Sequence, residues 1–195
     1  MTIISKSKNF IFVHIRKCGG TSFEQSYQKH SRWNDLVIGS SKEGEILQPI
    51  YDKLHGLHKH NTAFEIKNII GEEHFNEYWR FALVRHPQKL IESFYKWSRT
   101  LVIQRSQNDE EVQNRWRDNL FRGTAEFDFL NWGPIKSYLL TNSFSEFVNR
   151  AVSENLIQGS QTNFLLSEKN EPLVDNWYKL ENIDVFWEAF GNKTE

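Results

Sequence analysis

Lys17, Gly19, Gly20, Thr21 and Ser22 stand together in "KCGGTS", directly behind the apolar run "FIFVHI". A strand that ends in a glycine turn and opens a helix makes an anion site. Backbone N–H groups point at the ligand, and the helix dipole adds partial positive charge. Gly19 and Gly20 let the backbone approach a phosphate closely, Thr21 and Ser22 offer hydroxyl donors, and Arg16 and Lys17 add full charges. "FALVRHPQKLIESF" repeats the order. Arg85 ends an apolar run and Ser93 follows in a helical pattern, a two-pronged cation and a neutral donor for a second phosphate. A third cluster, "HGLHKHNT", carries His55, His58 and His60, whose imidazoles suit proton transfer near neutral pH.

Other chemistries fit these residues less well. The nucleotide-hydrolase loop, G-x-x-x-x-G-K-[ST], places its lysine directly before the hydroxyl residue, where this chain has Gly20; no apolar strand ends in an Asp to hold magnesium. A plain strand-to-helix turn with Thr21 as cap is the structural alternative. A cysteine phosphatase needs an Arg six positions after its nucleophile, whereas residues 19–24 are Gly, Gly, Thr, Ser, Phe and Glu. Cys18, in an electropositive loop at a helix start, is expected to have a lowered pKa. His55-x-x-His58-x-His60 suits three imidazoles on zinc, but no carboxylate follows at close spacing, so no metal site is assigned. Each histidine read alone is a solvated loop residue.

The positioning elements follow from hydrophobic period and caps. Residues 11–15 and 81–84 read as buried strands, 35–38 as a short strand, and "LVDNWYKLENI" as a late strand entering a turn. Helices are expected from Thr21 to Lys29 with a Thr21–Glu24 capping box, from Thr62 with a Thr62–Glu65 box to a stop at Gly71, from Pro87 through Leu101, and from Ser143. "VFWEAFG" reads as a closing helix with a glycine stop, and residues 39–49 as a polar loop. The β-α-(β)-α-β-α order predicts an α/β fold with a central parallel sheet flanked by helices. One domain over 1–195 is expected, with a mobile or helical insertion around 104–131.

The 195 residues suffice for one domain with a real core, and 38% hydrophobic with 25% charged residues is ordinary for a globular protein. A net charge of −1 makes no case for nucleic acid. With one cysteine, no internal disulfide forms. The first residues lack a signal-peptide apolar region and no run is long enough to span a bilayer, so a cytoplasmic location is the expectation. The sequence sets no oligomeric state.

Together the motifs carry a resemblance. "HIRKCGGTS" is similar to "h-x-P-K-T-G-G-T-S", and "RHPQKLIESFY" to "R-[DN/H]-P-x-x-R-x-x-S-x-Y/F". "KHNTAFEI" is similar to "KH-x-T-A-x-E-I", and "WYKLENI" to "R-x-E-N-L". These are signatures of sulfotransferases that use 3′-phosphoadenosine 5′-phosphosulfate, in the carbohydrate branch called sulfotransferase family 2. Arg16 stands where Pro is frequent, Cys18 where Thr is, and Leu90 and Lys179 where Arg is. The resemblance implies a three-layer P-loop NTPase-like fold and transfer of a sulfuryl group to an acceptor hydroxyl on a carbohydrate or other small compound. Adenosine 3′,5′-bisphosphate is then the product, and no metal is needed. It implies Lys17 against the leaving phosphate oxygen and His60, with His58 second, as base. Arg16, Lys17, Cys18, Gly19, Gly20, Thr21, Ser22, Arg85, Ser93 and Lys179 would hold the donor. Trp97, Trp116, Trp132 and Trp177 are core residues or platforms for a sugar or adenine. The rival readings are a nucleotide kinase or nucleoside-triphosphate binder with a variant loop, and a non-catalytic relative that only binds.

Overall fold

The computed structural model describes residues 2–39, 41–154 and 161–194. In chain order the elements are β1 (Thr2–Ser5), β2 (Phe10–Val13), α1 (Gly20–Gln28), β3 (Leu36–Ile38), α2 (Lys42–His55), α3 (Ala63–Ile70), α4 (Glu72–Glu77) and β4 (Trp79–Val84). Then follow α5 (Pro87–Arg105), α6 (Glu110–Arg122), α7 (Gly133–Leu139), α8 (Phe144–Ser153), β5 (Asn176–Lys179) and α9 (Ile183–Thr194). Contacts divide them into two units, one of residues 2–86 with 161–194, the other of 87–154.

The first unit is an α/β arrangement around a five-stranded sheet in the order β3-β1-β2-β4-β5. Strands β2, β4 and β5 run parallel, while β1 pairs antiparallel with both β2 and β3. The sheet is therefore mixed, not parallel throughout as expected. The reason is the short link between β1 and β2, residues 6–9, with Asn9 at φ 55. A link that short closes only an antiparallel hairpin, because a parallel pair needs a crossover of a dozen or more residues. All four residues of β2 are fully buried. Phe10 and Phe12 pack with Phe23, Tyr27, Phe81 and Phe186, so β2, β4, α1 and α9 share one aromatic core. Asp35 ties β1 to the start of β3. Its carboxylate accepts from Ser5 Oγ, from Ser7 N–H and Oγ, from Tyr27 Oη and from Arg32 N–H.

Three other expectations change. The capping box at Thr21–Glu24 does not form. Gly19, left-handed at φ 81, is the N-cap, so Ser22 and not Glu24 holds the third helical position. Glu24 instead is buried and accepts from Ser41 N–H. Residues expected as a polar loop form α2, capped by Ser41 Oγ accepting from Gly44 N–H and stopped by left-handed Gly56, with Pro49 inside. Gly191 lies within α9 and does not stop it. The box at Thr62–Glu65, by contrast, is present in both halves, and Gly71 follows α3 as its C-cap.

The second unit is helical. Trp116, Leu120, Phe129, Leu130, Ile135 and Leu139 form one core cluster. Phe94, Phe147 and Ala151 form another. Within residues 104–131, α6 is bounded by Asp109, whose carboxylate accepts from Glu111 and Val112 N–H, and by left-handed Gly123.

Candidate functional site

The parallel register decides where the chemistry gathers. Val13 on β2 pairs with Ala82 on β4, and Val84 pairs with Lys179 on β5. The segments that leave these three strands, beginning at His14, Arg85 and Leu180, therefore emerge at one carboxyl edge, where open α/β sheets bind ligands.

The first of these segments is a tight turn. Lys17 adopts left-handed φ 63 and Gly19 φ 81, and Cys18 N–H donates to Ile15 carbonyl at 3.3 Å. Gly20 has no room for a side chain, since a Cβ there would meet the His14 ring at 2.0 Å. A Cβ on Gly19 would meet Leu180 at 2.7 Å. Among the described residues no side chain caps α1, and its first turn holds no acidic residue. Thr21 and Ser22 are exposed on that turn. Free N–H groups at a helix start with nearby cations fit a phosphate. Electrostatics agree. Burial and then the neighbouring Arg85 charge lower the Lys17 ammonium pKa, and burial lowers that of Arg16. An anion here would relieve that crowding of like charges.

Arg85 Nη1 donates to Lys17 carbonyl at 3.1 Å, which joins the second motif to the first. Its backbone is clamped by a residue no motif contains. Arg85 N–H donates to Gln161 Oε1 at 2.7 Å, and Gln161 Nε2 donates back to Arg85 carbonyl at 2.7 Å. Next along, His86 N–H donates to Glu181 Oε1 at 2.9 Å. Lys179 is exposed at the end of β5, and Trp177 is exposed two residues before it. Ser93 lies on α5 in the second unit, with Trp97, Trp116 and Trp132; Trp116 is core and Trp132 half exposed.

Cys18 corrects an expectation. Its pKa is not lowered; burial pushes it up to about 12. The thiol stays protonated and donates to Gln161 Oε1 at 3.3 Å.

The histidine loop is held from within. Buried Asn61 accepts from His58 N–H at 2.6 Å and donates to Gly56 carbonyl at 3.1 Å. Thr2 Oγ donates to His58 carbonyl at 2.9 Å. His60 N–H donates to His58 Nδ1 at 3.2 Å, and His60 Nδ1–H donates to His14 carbonyl at 3.3 Å. With Nδ1 protonated, the ring's lone pair is on Nε2, as a base requires. The His60 and His14 rings lie 4.6 Å apart. The expectation of an imidazole titrating near 7 is not met. Burial, with positive groups including Arg16, lowers the His60 pKa to about 2, and burial lowers that of His14 well below its usual value. His55 is exposed at the end of α2. Among the described residues no three His, Cys, Asp or Glu side chains gather as a metal site.

The Sulfotransferase family model matches residues 1–177 of the 195. The chain belongs to the sulfotransferase family. No curated protein and no solved structure matches it. The sulfotransferase match includes the Lys17 loop, the histidine loop, Arg85 and Ser93, and ends two residues before Lys179. No helix among the described residues of this sulfotransferase-family chain is long and apolar enough to cross a membrane.

Proposed function

We propose that the chain transfers a sulfuryl group from 3′-phosphoadenosine 5′-phosphosulfate to an acceptor hydroxyl on a carbohydrate. One observation carries this reading. A left-handed turn sets Lys17 ahead of the uncapped start of α1, and Arg85 reaches that turn from the neighbouring strand. The donor, when bound, supplies an activated sulfuryl group on a phosphate leaving oxygen. Backbone N–H groups at Gly19 and Gly20, with Thr21 and Ser22, hold the 5′ side, Cys18 shaping the turn between them and Lys17, and Lys17 with Arg16 sets positive charge against that oxygen. Charge placed in advance where negative charge develops is the main source of rate in such transfers. Arg85 holds the 3′-phosphate, with Ser93 assigned on motif spacing and Lys179 as the outer cation. His60 takes the acceptor proton at Nε2, with His58 behind it. Burial is the main cause of the low basicity of His60, and positive groups including Arg16 add to it; an anionic donor would offset the Arg16 part. The acceptor oxygen would give its proton to His60 and bond to sulfur as the bond between sulfur and the 5′-phosphate oxygen breaks, yielding a sulfate ester and adenosine 3′,5′-bisphosphate.

The test is thermal stabilisation by adenosine 3′,5′-bisphosphate against ATP–Mg²⁺, followed by transfer from a labelled donor to a panel of carbohydrates. A ligand at a hundred times its Kd stabilises by about 2.7 kcal/mol. Stabilisation by the bisphosphate and label on a sugar are expected. Stabilisation by ATP–Mg²⁺ alone would show a triphosphate binder instead, and bisphosphate binding without transfer to any acceptor would show a protein that only binds.

A further inference from the structure

One side chain touches both phosphate segments. Gln161 exchanges two hydrogen bonds of 2.7 Å with the backbone of Arg85, and its Oε1 also accepts from the Cys18 thiol at 3.3 Å. The first pair copies the way neighbouring strands join, so the amide extends the sheet by one rung past the end of β4. The third bond fastens that rung to the residue between Lys17 and Gly19. A primary amide alone among side chains offers a donor and a two-lone-pair acceptor side by side at this reach.

The need for such a fastening is electrostatic. Lys17 and Arg85 are both cations, and the Arg85 charge already lowers the Lys17 pKa. The two like charges repel each other, against the bond from Arg85 Nη1 to Lys17 carbonyl. Lys17 also sits at left-handed φ 63, which persists only when its surroundings hold it there. We infer that Gln161 is a positioning residue that fixes the Lys17 turn and Arg85 at one separation, so that both cations stand ready for the phosphates of the donor. The inference rests on the donor reading above, and its test separates the two.

Cys18 is the chain's one cysteine, so alkylation by a small maleimide in native buffer reports on the Gln161 contact without any ligand. Two variants are measured beside the parent for alkylation rate, for bisphosphate Kd and for ligand-free melting. Gln161→Met keeps length and loses every bond. Gln161→Glu keeps the acceptor for Arg85 N–H and the Cys18 thiol but loses the donor. In Gln161→Met, alkylation is expected to quicken and the bisphosphate Kd to rise, each by about tenfold, the worth of one or two backbone hydrogen bonds. Gln161→Glu is expected between Met and parent in alkylation. If Gln161→Met does not fold, the Glu variant decides by the same two readouts, with a smaller rise expected in each. Parent-like alkylation in the folded variants overturns the inference, and so does a parent-like Kd where the parent binds. Faster alkylation with a parent that binds no bisphosphate leaves the fastening standing and sinks the donor reading alone.

Discussion

Replacing Gly20 with alanine tests the packing beneath the Lys17 turn. The new Cβ would stand 2.0 Å from His14 Cδ2 and 2.2 Å from Nε2. Carbon atoms rest at about 3.5–4.0 Å, so the ring must retreat by roughly 1.5 Å or more. It has no easy direction. His14 is 6% exposed, its ring is stacked 6.0 Å from Phe12, and the His60 ring lies 4.6 Å away. Overpacking of this kind costs about 1–3 kcal/mol. Gly20 is helical, not left-handed, so the cost is steric, and alanine's better helix propensity offsets at most about 1 kcal/mol of it. The net cost is then about 0–3 kcal/mol, and at this chain length each kcal/mol moves Tm by about 2–4 °C, so a fall of up to about 12 °C is expected. The bisphosphate Kd should rise as well, because the turn and α1 start shift with the ring. The double variant His14→Ala with Gly20→Ala removes the obstruction. Its destabilisation should be smaller than the sum of the single ones, by about 1–3 kcal/mol in a double-mutant cycle. A Gly20→Ala protein that melts above the parent temperature, or a cycle that sums without coupling, would refute this account of the turn.

Three further outcomes are expected. Lys17→Gly removes a left-handed side chain and a charge facing Arg85, so the protein should melt no lower than the parent while sulfuryl transfer falls on the order of 10²–10³-fold; a melting temperature several degrees lower would contradict the strain reading. The His60 pKa of about 2 lies below the unfolded value near 6.5, so the unfolded chain binds the extra proton between them. The stability this histidine contributes is then complete above about pH 6.5 and is lost as pH falls toward 2. Denaturant titrations from pH 7 to 5 should show His60→Gln flattening that loss by up to about 1.4 kcal/mol per pH unit, and an unchanged slope would refute it. Asp35→Asn turns an NH₂ group toward donors from Ser5, Ser7, Tyr27 and Arg32 and should cost about 1.5–3 kcal/mol, read as a shift in the urea midpoint at constant m; an unmoved midpoint would show those bonds to be dispensable.

The parts of the fold that were legible are those whose signals are local. Strand β2 and the start of β4 are apolar runs bounded by charge. The α3 helix carries its capping box and glycine stop in consecutive residues. Strand β1 was missed because four residues beside a short polar turn carry little period. Its antiparallel pairing with β2 and β3 is what makes the sheet mixed. Helix α2 is not legible because residues 39–49, with Gly44 and Pro49 among them, read as a polar loop. Yet Gly44 N–H donates to the Ser41 cap, and the absent N–H of Pro49 is one bond among fourteen residues of helix.

The candidate site divides the same way. Its cations, glycines and hydroxyls are contiguous, because the turn that carries them is one strand-to-helix connection. The side chains that hold the turn come from far along the chain. Gln161 is 143 residues from Cys18 and 76 from Arg85, and Glu181 is 95 from His86. No spacing rule reaches them, because the strand register of β4 with β5 and the fold of residues after 160 bring them there. Cys18 shows the consequence. Read from its neighbours it should be acidic; read with its surroundings it is buried, protonated and a donor to Gln161. Lys17 is the converse case. Glycine would adopt its φ of 63 without strain, whereas a side chain there costs about 1–2 kcal/mol. A lysine standing where the backbone favours glycine puts a positive charge at that point, next to Arg85 and ahead of α1.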